Sequence, residues 1–241
     1  MYLKVVCFLF LLFAGLVPQN VCAQDMWIIK KYAQAPEAKI KRHAFNVPEK
    51  YSQNARQLTQ YLIEPFDNKL DRLRVIAYWI ASHIFYDNYK LNWRNYDYHY
   101  DVLKTRMGIC MDFALLFQEM SQYAGVRGVK IETGFVVDTN VGRKHYPKRS
   151  LKDGHAWNSI KINNKVYYID TTWMSTQEII PQSKSSFDTL SHKFEVKKRS
   201  QSALKKTVTT NIRTYYFLFT PQDEIEKYQQ QHFPANLKVK R

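Results

Sequence analysis

Apolar residues recur at three- and four-residue steps from Asp67 onward, at Leu70, Leu73, Ile76, Ala77, Ile80 and Ile84. That period predicts a helix with Asp67 as its N-cap and an end near Tyr86-Asp87. A second helical run covers 111–124, with Phe113, Leu116, Phe117, Met120 and Ala124 on one face and Gly125 as its stop. Between the two, Asn88 to Lys104 carries Trp93, Tyr96, Tyr98 and Tyr100 without a period and reads as an aromatic loop. Upstream, Gln24 to Pro65 reads as an irregular arm with one short helical piece, Ala55 to Ile63, stopped by Pro65.

Beyond Gly125 the period becomes extended. "VKIETGFVVD" (129–138) reads as a strand, and "HAWNSIKI" (155–162) with "VYYIDTTW" (166–173) as a hairpin turning at Asn163-Asn164. Residues 175–210 are poor in large apolar side chains and rich in Lys, Ser and Thr, which reads as loop. "IRTYYFLF" (212–219) reads as a last strand, and Thr220-Pro221 opens a final helix reaching about Gln231. Helices first and antiparallel strands after them make an α+β domain.

The first residues stand apart from this pattern. Lys4 precedes an apolar run from Val5 to Val17, and Val21-Cys22-Ala23 places small residues where a signal peptidase reads. The division predicted is a signal peptide over 1–23, an N-terminal arm over 24–66 and one α+β domain over 67–241, with the mature protein secreted or periplasmic. The apolar run is too short to span a bilayer, so no transmembrane span is expected in the mature chain. Lipid attachment at Cys22 ranks below simple cleavage, because "PQNVC" lacks a small residue just before the cysteine.

Cleavage removes Cys7 and Cys22 and leaves Cys110 as the sole thiol, so no internal disulfide can form in a compartment that tolerates them. On composition alone Cys110 reads equally as a small buried hydrophobe and as a reactive group. Lys and Arg number 36 against 21 Asp and Glu, a net charge of +15. Much of the excess sits in Gly142 to Lys152 and Lys184 to Lys206, which read as solvated loops or as a contact surface for an anionic envelope polymer. There is no zinc-ligand spacing, phosphate loop or nucleic-acid module, so no metal, cofactor or nucleic-acid partner is expected.

Chemistry enters through Cys110. The predicted helix puts it at an N-terminal end, where unpaired N–H groups and the helix dipole favour a thiolate, and Gly108 permits a tight approach. A nucleophile needs a base, and the base an orienting group. Of seven histidines only His155 begins a strand of recognisable pattern. A turn at Asn163-Asn164 pairs residues whose numbers sum to 327, so His155 faces Thr172 and Trp157 faces Asp170. His155 and Asp170 then share a sheet face as diagonal neighbours about 7–8 Å apart at Cα. A slip of one residue would separate them. A lone His is more often a satisfied or surface residue and a lone Asp a turn former; the joint arrangement is what points to chemistry.

Together "GICMDFALLF", "GHAWNSI" and "YYIDTTW" resemble the core pattern of the transglutaminase-like superfamily, a G-x-C entering a helix, an H-A-W strand and a strand ending in D-x-x-W. "RVIAYWIASHIFYD" resembles the helix before the family's cysteine, and "YYFLFTPQDEIEKYQQQHFPAN" the segment after the core in the kyphoscoliosis-peptidase-like branch, so that the likeness runs from about Leu70 to Asn236. The resemblance implies a papain-like, transglutaminase-core fold with the nucleophile helix packed on an antiparallel sheet. It implies Cys110 as nucleophile, His155 as general base and then acid, and Asp170 as the group fixing the imidazole tautomer. An oxyanion hole would combine the cysteine's own N–H with an upstream side chain, Trp93 first and Tyr86 second; Trp157 is the third oxyanion or substrate candidate. Met111 and Asp112 carry no assigned role. The activity implied is acyl transfer on a protein or peptide, read as hydrolysis because no calcium site or accessory module is visible. The alternatives are a cross-linking transglutaminase and a non-catalytic binding module.

Overall fold

A computed structural model of the chain describes residues 33–87, 102–138, 154–176, 178–179, 211–220, 222 and 230–234. Three helices come first: α1 (Glu37–Phe45), α2 (Ala55–Ile63) and α3 (Lys69–His83). Asn54 starts α2 by accepting from the N–H groups of Arg56 and Gln57 at 2.9 and 3.1 Å, and Asn68 starts α3 by accepting from Leu70 N at 2.7 Å. Asn68, not Asp67, is therefore the cap. Of Leu70 to Ser82 all but Arg72 are buried, so α3 is a core helix apolar nearly all round. It ends at His83, short of Tyr86-Asp87, because Phe85–Asp87 is extended as strand β1.

The arm is more helical than its sequence suggests. α1 was not expected, since "EAKIKRHAF" buries only Ile40 and Ala44. Those two join Leu58 and Leu62 of α2 in one core with Leu73, Ile76 and Trp79 of α3. Just ahead of α1, Asp71 Oδ2 accepts from the backbone N–H groups of Gln34 and Ala35 at 2.8 and 3.0 Å, and Arg74 Nη2 donates to Ala35 O at 2.5 Å. A buried ion pair on α3 thus holds the chain's entry by its backbone.

A short helix α4 (Val102–Thr105) and strand β2 (Met107–Gly108) lead into α5 (Cys110–Tyr123), which Gly125 closes at φ 73°. Strands β3 (Lys130–Asp138), β4 (Gly154–Ile162) and β5 (Lys165–Ile169) follow, then helix α6 (Thr171–Met174), β6 (Glu178–Ile179), β7 (Phe217–Phe219) and β8 (Gln230–Pro234). β2, β1 and β6 form a small parallel sheet, while the five-stranded antiparallel sheet runs β7-β5-β4-β3-β8. α5 lies on that sheet, tied to it by buried Asn158 of β4, whose Nδ2 donates to Ala114 O at 3.0 Å. The fold is α+β, with helices first and the antiparallel sheet after them.

Three boundaries differ from the pattern reading. The strand expected through Trp173 stops at Ile169 and α6 begins. Of "IRTYYFLF", Thr214–Tyr216 is a 3-10 turn and Phe217–Phe219 the strand. The final helix was expected to reach about Gln231, but Gln230–Pro234 pairs with β3 as a strand, and 223–229 lie outside the described residues. Also outside them are residues 1–23, read above as a signal peptide, most of the stretch read as an aromatic loop, and both basic stretches. Among the described residues no helix is long and apolar enough to cross a membrane.

Candidate active site

The turn before α5 is shaped by three residues. Arg106 takes a left-handed conformation, φ 58°, and its carbonyl accepts from Phe85 N at 2.8 Å, which fixes β2 against β1. Asp112 Oδ2 then accepts from Ile109 N at 2.8 Å, the reciprocal bond of an acid in a helix's first turn. A Cβ on Gly108 would lie 2.8 Å from Asp112 Cβ, so glycine is what lets that carboxylate swing back. Cys110, the first residue of α5, emerges at 7% exposure. It packs on Ala114 and Ala156, with Tyr86, Met111 and Ile131 partly buried around it.

His155 comes from β4. The hairpin turns on Asn163 and Asn164, both at positive φ (50° and 66°), and the observed pairs Asn158–Ile169 through Ile162–Lys165 have the expected register. The ladder stops at Asn158–Ile169, so His155–Thr172 and Trp157–Asp170 are not ladder pairs. Asp170 instead caps α6: its Oδ1 accepts from Trp173 N at 2.9 Å, and its own N–H donates to Tyr216 O at 3.0 Å. That frees Oδ2 to accept from His155 Nε2 at 2.5 Å. Asp170 is fully buried, and the imidazole also hydrogen-bonds Cys110. Since Nε2 is engaged by Asp170, Nδ1 is the nitrogen left for the thiol.

Burial alone would push His155 below its ordinary value. The Asp170 carboxylate, by charge and by hydrogen bond, and the contact with Cys110 outweigh it and raise the group from 6.5 to about 10. Its ring lies between two indoles, Trp157 at 5.8 Å and Trp173 at 5.4 Å between centroids. On β3 the residue opposite His155 is the buried Gly134, which pairs on its other side with Pro234 of β8.

The structure therefore brings Cys110, His155 and Asp170 together. Tyr86 joins the same cluster, half-buried beside Cys110 with its ring 6.4 Å from Phe113. Trp157 lies behind the imidazole, 1% exposed and edge-on to Tyr168. Trp93 lies outside the described residues. Sequence reasoning gave no role to Trp173 or Asp112. The signal for each was present: a residue three after an N-capping Asp, and an acid in the first turn after a glycine-led start. Asn158, which seats α5 on β4, had no signal beyond its place in the strand. A groove of about 470 Å³ lined by Tyr51, Gln57, Tyr61 and Glu64 belongs to the N-terminal helices, and none of the three site residues lines it.

A sulfur at a helix N-terminus, an imidazole held by a buried carboxylate, and first-turn N–H groups without intrahelical acceptors can together support attack on a carbonyl. Comparison with known proteins adds the following. The family model described as "Transglutaminase-like superfamily" matches residues 56–176. "Kyphoscoliosis peptidase" of Mus musculus is 28% identical over 185 residues, and that of Homo sapiens 27% over 185, each match covering 75% of this chain and 23% of the relative. The chain thus spans about a quarter of the length of those curated relatives. A solved structure titled "Crystal structure of a TGase" aligns at 12% identity and a TM-score of 0.35, over 70% of this chain and 42% of that one.

Proposed function

The chain belongs to the transglutaminase-like superfamily, and on that premise we propose that it is an exported cysteine-dependent acyl-transfer enzyme that hydrolyses peptide or amide bonds. The observation carrying this reading is His155, which bonds both Asp170 and Cys110. The superfamily includes cysteine peptidases and transglutaminases, and the curated relatives are named peptidases. Export rests on the apolar run and small-residue site of the first 23 positions.

In the proposed reaction Cys110 Sγ bonds to the substrate's carbonyl carbon, and the carbonyl oxygen takes the electron pair as an oxyanion facing the first N–H groups of α5. Tyr86, packed against the Cys110 cluster, is proposed as the second donor. His155 passes its proton to the departing nitrogen as the C–N bond breaks, leaving a thioester on Cys110. Water then attacks, His155 takes its proton, the S–C bond breaks, and the acid leaves. Asp170 keeps Nε2–H pointed at itself and Nδ1 toward sulfur throughout. An amine in place of water would give an isopeptide, so the thioester is common to both family activities.

Trapping tests the reading. A thiol-directed electrophile should label folded wild type at Cys110, fail with Cys110→Ala, and label His155→Ala and Asp170→Ala far more slowly. Equal labelling of all three Cys110-bearing proteins would sink the triad assignment. Turnover of a peptide with an added primary amine then separates the outcomes: release of free acid is expected, and incorporation of the amine would establish cross-linking instead.

A further inference from the structure

Among the described residues, Cys110 has apolar neighbours beside its polar partner His155. Met111, Ile131 and Tyr86 pack on the Cys110–Ala114–Ala156 cluster and are each partly open to solvent. One turn behind Met111 on α5, in neighbouring i, i+4 positions, stands Leu115. Leu115 is 49% exposed and is one of three exposed large hydrophobics among the described residues, the others being Val166 and Tyr215. A single exposed Leu is ordinary; one that continues an apolar surface leading to a nucleophile is not. The stripe ends a further turn along at Glu119, whose carboxylate accepts from Tyr123 Oη at 3.0 Å. A chain lying with its carbonyl at Sγ would set one neighbouring side chain on this ledge.

Resting on the acyl-transfer reading, we propose that Met111, Leu115 and Ile131 form a specificity ledge that selects a peptide with an aliphatic side chain next to the scissile carbonyl, in preference to one with a polar glutamine side chain in that place. Desolvating an aliphatic group on the ledge favours that substrate, whereas a glutamine there loses hydrogen bonds to water and meets no polar partner among the three residues.

The test uses two peptidyl chloromethyl ketones alike except for Leu or Gln next to the reactive carbonyl, with iodoacetamide as a reference that needs no ledge. In wild type the rate of Cys110 labelling by the Leu probe, divided by that of iodoacetamide, should exceed the corresponding Gln ratio by about ten-fold. Leu115→Glu, a helix-compatible change at an exposed position, should bring the two ratios together, and Leu115→Met should keep them apart. Equal ratios in wild type, or a Gln ratio above the Leu ratio, overturn the ledge while the thiol's reactivity stands. A preference that survives Leu115→Glu also overturns it. Labelling of Cys110 by no reagent in folded protein, with labelling after denaturation, would overturn the acyl-transfer reading itself.

Discussion

Two histidines of this fold, one ending α3 and one in β4, have similar surroundings and are shifted in opposite directions. His83, at the end of α3, stacks on Trp79 at 4.7 Å and 14°. His155 stacks on Trp157 at 5.8 Å and 19°. Both are partly buried, and burial drives both downward. What differs is the nearest charge. His83 has the Arg106 guanidinium, which lies 4.8 Å over the Trp79 ring, and burial with that cation pushes it down to about 3 despite its bond to Trp79 O. His155 has Asp170 and rises to about 10. An indole-backed imidazole is thus pushed toward the neutral form in one place and toward the cation in the other; the neighbour's sign decides which.

The sharpest way to break that contrast is Asp170→Asn. An amide cannot hold Nε2–H as the carboxylate does, and its NH₂ favours the other tautomer, with the proton on Nδ1 facing Cys110. Acylation of Cys110 by a peptide substrate should fall about 10³- to 10⁴-fold, as when such a carboxylate is replaced in other triads. The His155 ring, followed by NMR, should then titrate below its ordinary range as His83 does. A loss smaller than ten-fold would separate Asp170 from the chemistry.

Stability against pH reads the same contrast in two directions. The folded value of His155 is raised, so its contribution is complete below 6.5 and disappears as pH rises through about 10. His83 is lowered, so its neutral burial costs nothing above 6.5 and destabilises as pH falls toward about 3. Denaturant midpoints should show wild type losing stability relative to His155→Gln between pH 7 and 10, and relative to His83→Gln between pH 6 and 3. Each difference should be on the order of a few kcal/mol across its window. Parallel curves for wild type and His155→Gln on the alkaline side would mean that the His155–Asp170 pair contributes nothing to folding.

Arg106→Met makes His83 more like an ordinary histidine. The guanidinium has no carboxylate bridge among the described residues; its Nη2 donates to Ser52 Oγ at 2.5 Å. Methionine keeps much of the stem and removes the charge, so stability should change by less than about 1.5 kcal/mol. The His83 ring should titrate higher than in wild type, though still below its ordinary value because burial remains, seen by NMR. No movement would show that burial, and not Arg106, holds the ring neutral.

How far this contrast could be read beforehand depends on what periodicity records. Helix α5 and the hairpin register were legible because Phe113, Leu116, Phe117 and Met120 mark a buried face, and an Asn-Asn turn fixes the pairing. The juxtaposition of His155 and Asp170 follows from them, although by a different route: Asp170 leaves the ladder and caps α6, because its side chain competes for a backbone N–H. Polar cores left little trace. α1 buries two residues of nine, and β8 is "QQHFP", so neither has a face to detect. Arg106, whose charge bears on His83, looks in sequence like any surface cation, and only its place over Trp79 gives it an effect.

The smallest expected change concerns the indoles themselves. If the ring behind each histidine set its charge, Trp79→Phe and Trp157→Phe would move the two titrations strongly. An aromatic face favours a cation by about 0.5–1 kcal/mol, under one pH unit, and phenyl keeps part of that attraction. Trp157→Phe should therefore lower His155 by less than one unit, with labelling of Cys110 at pH 7 nearly unchanged because the ring stays charged there. Trp79→Phe should lower His83 by no more, leaving it neutral. Both variants lose packing volume in the core, so unfolding midpoints will drop, but the NMR titrations read the charge apart from that loss. A shift of two units or more at either ring would move the cause from Asp170 and Arg106 to the indoles.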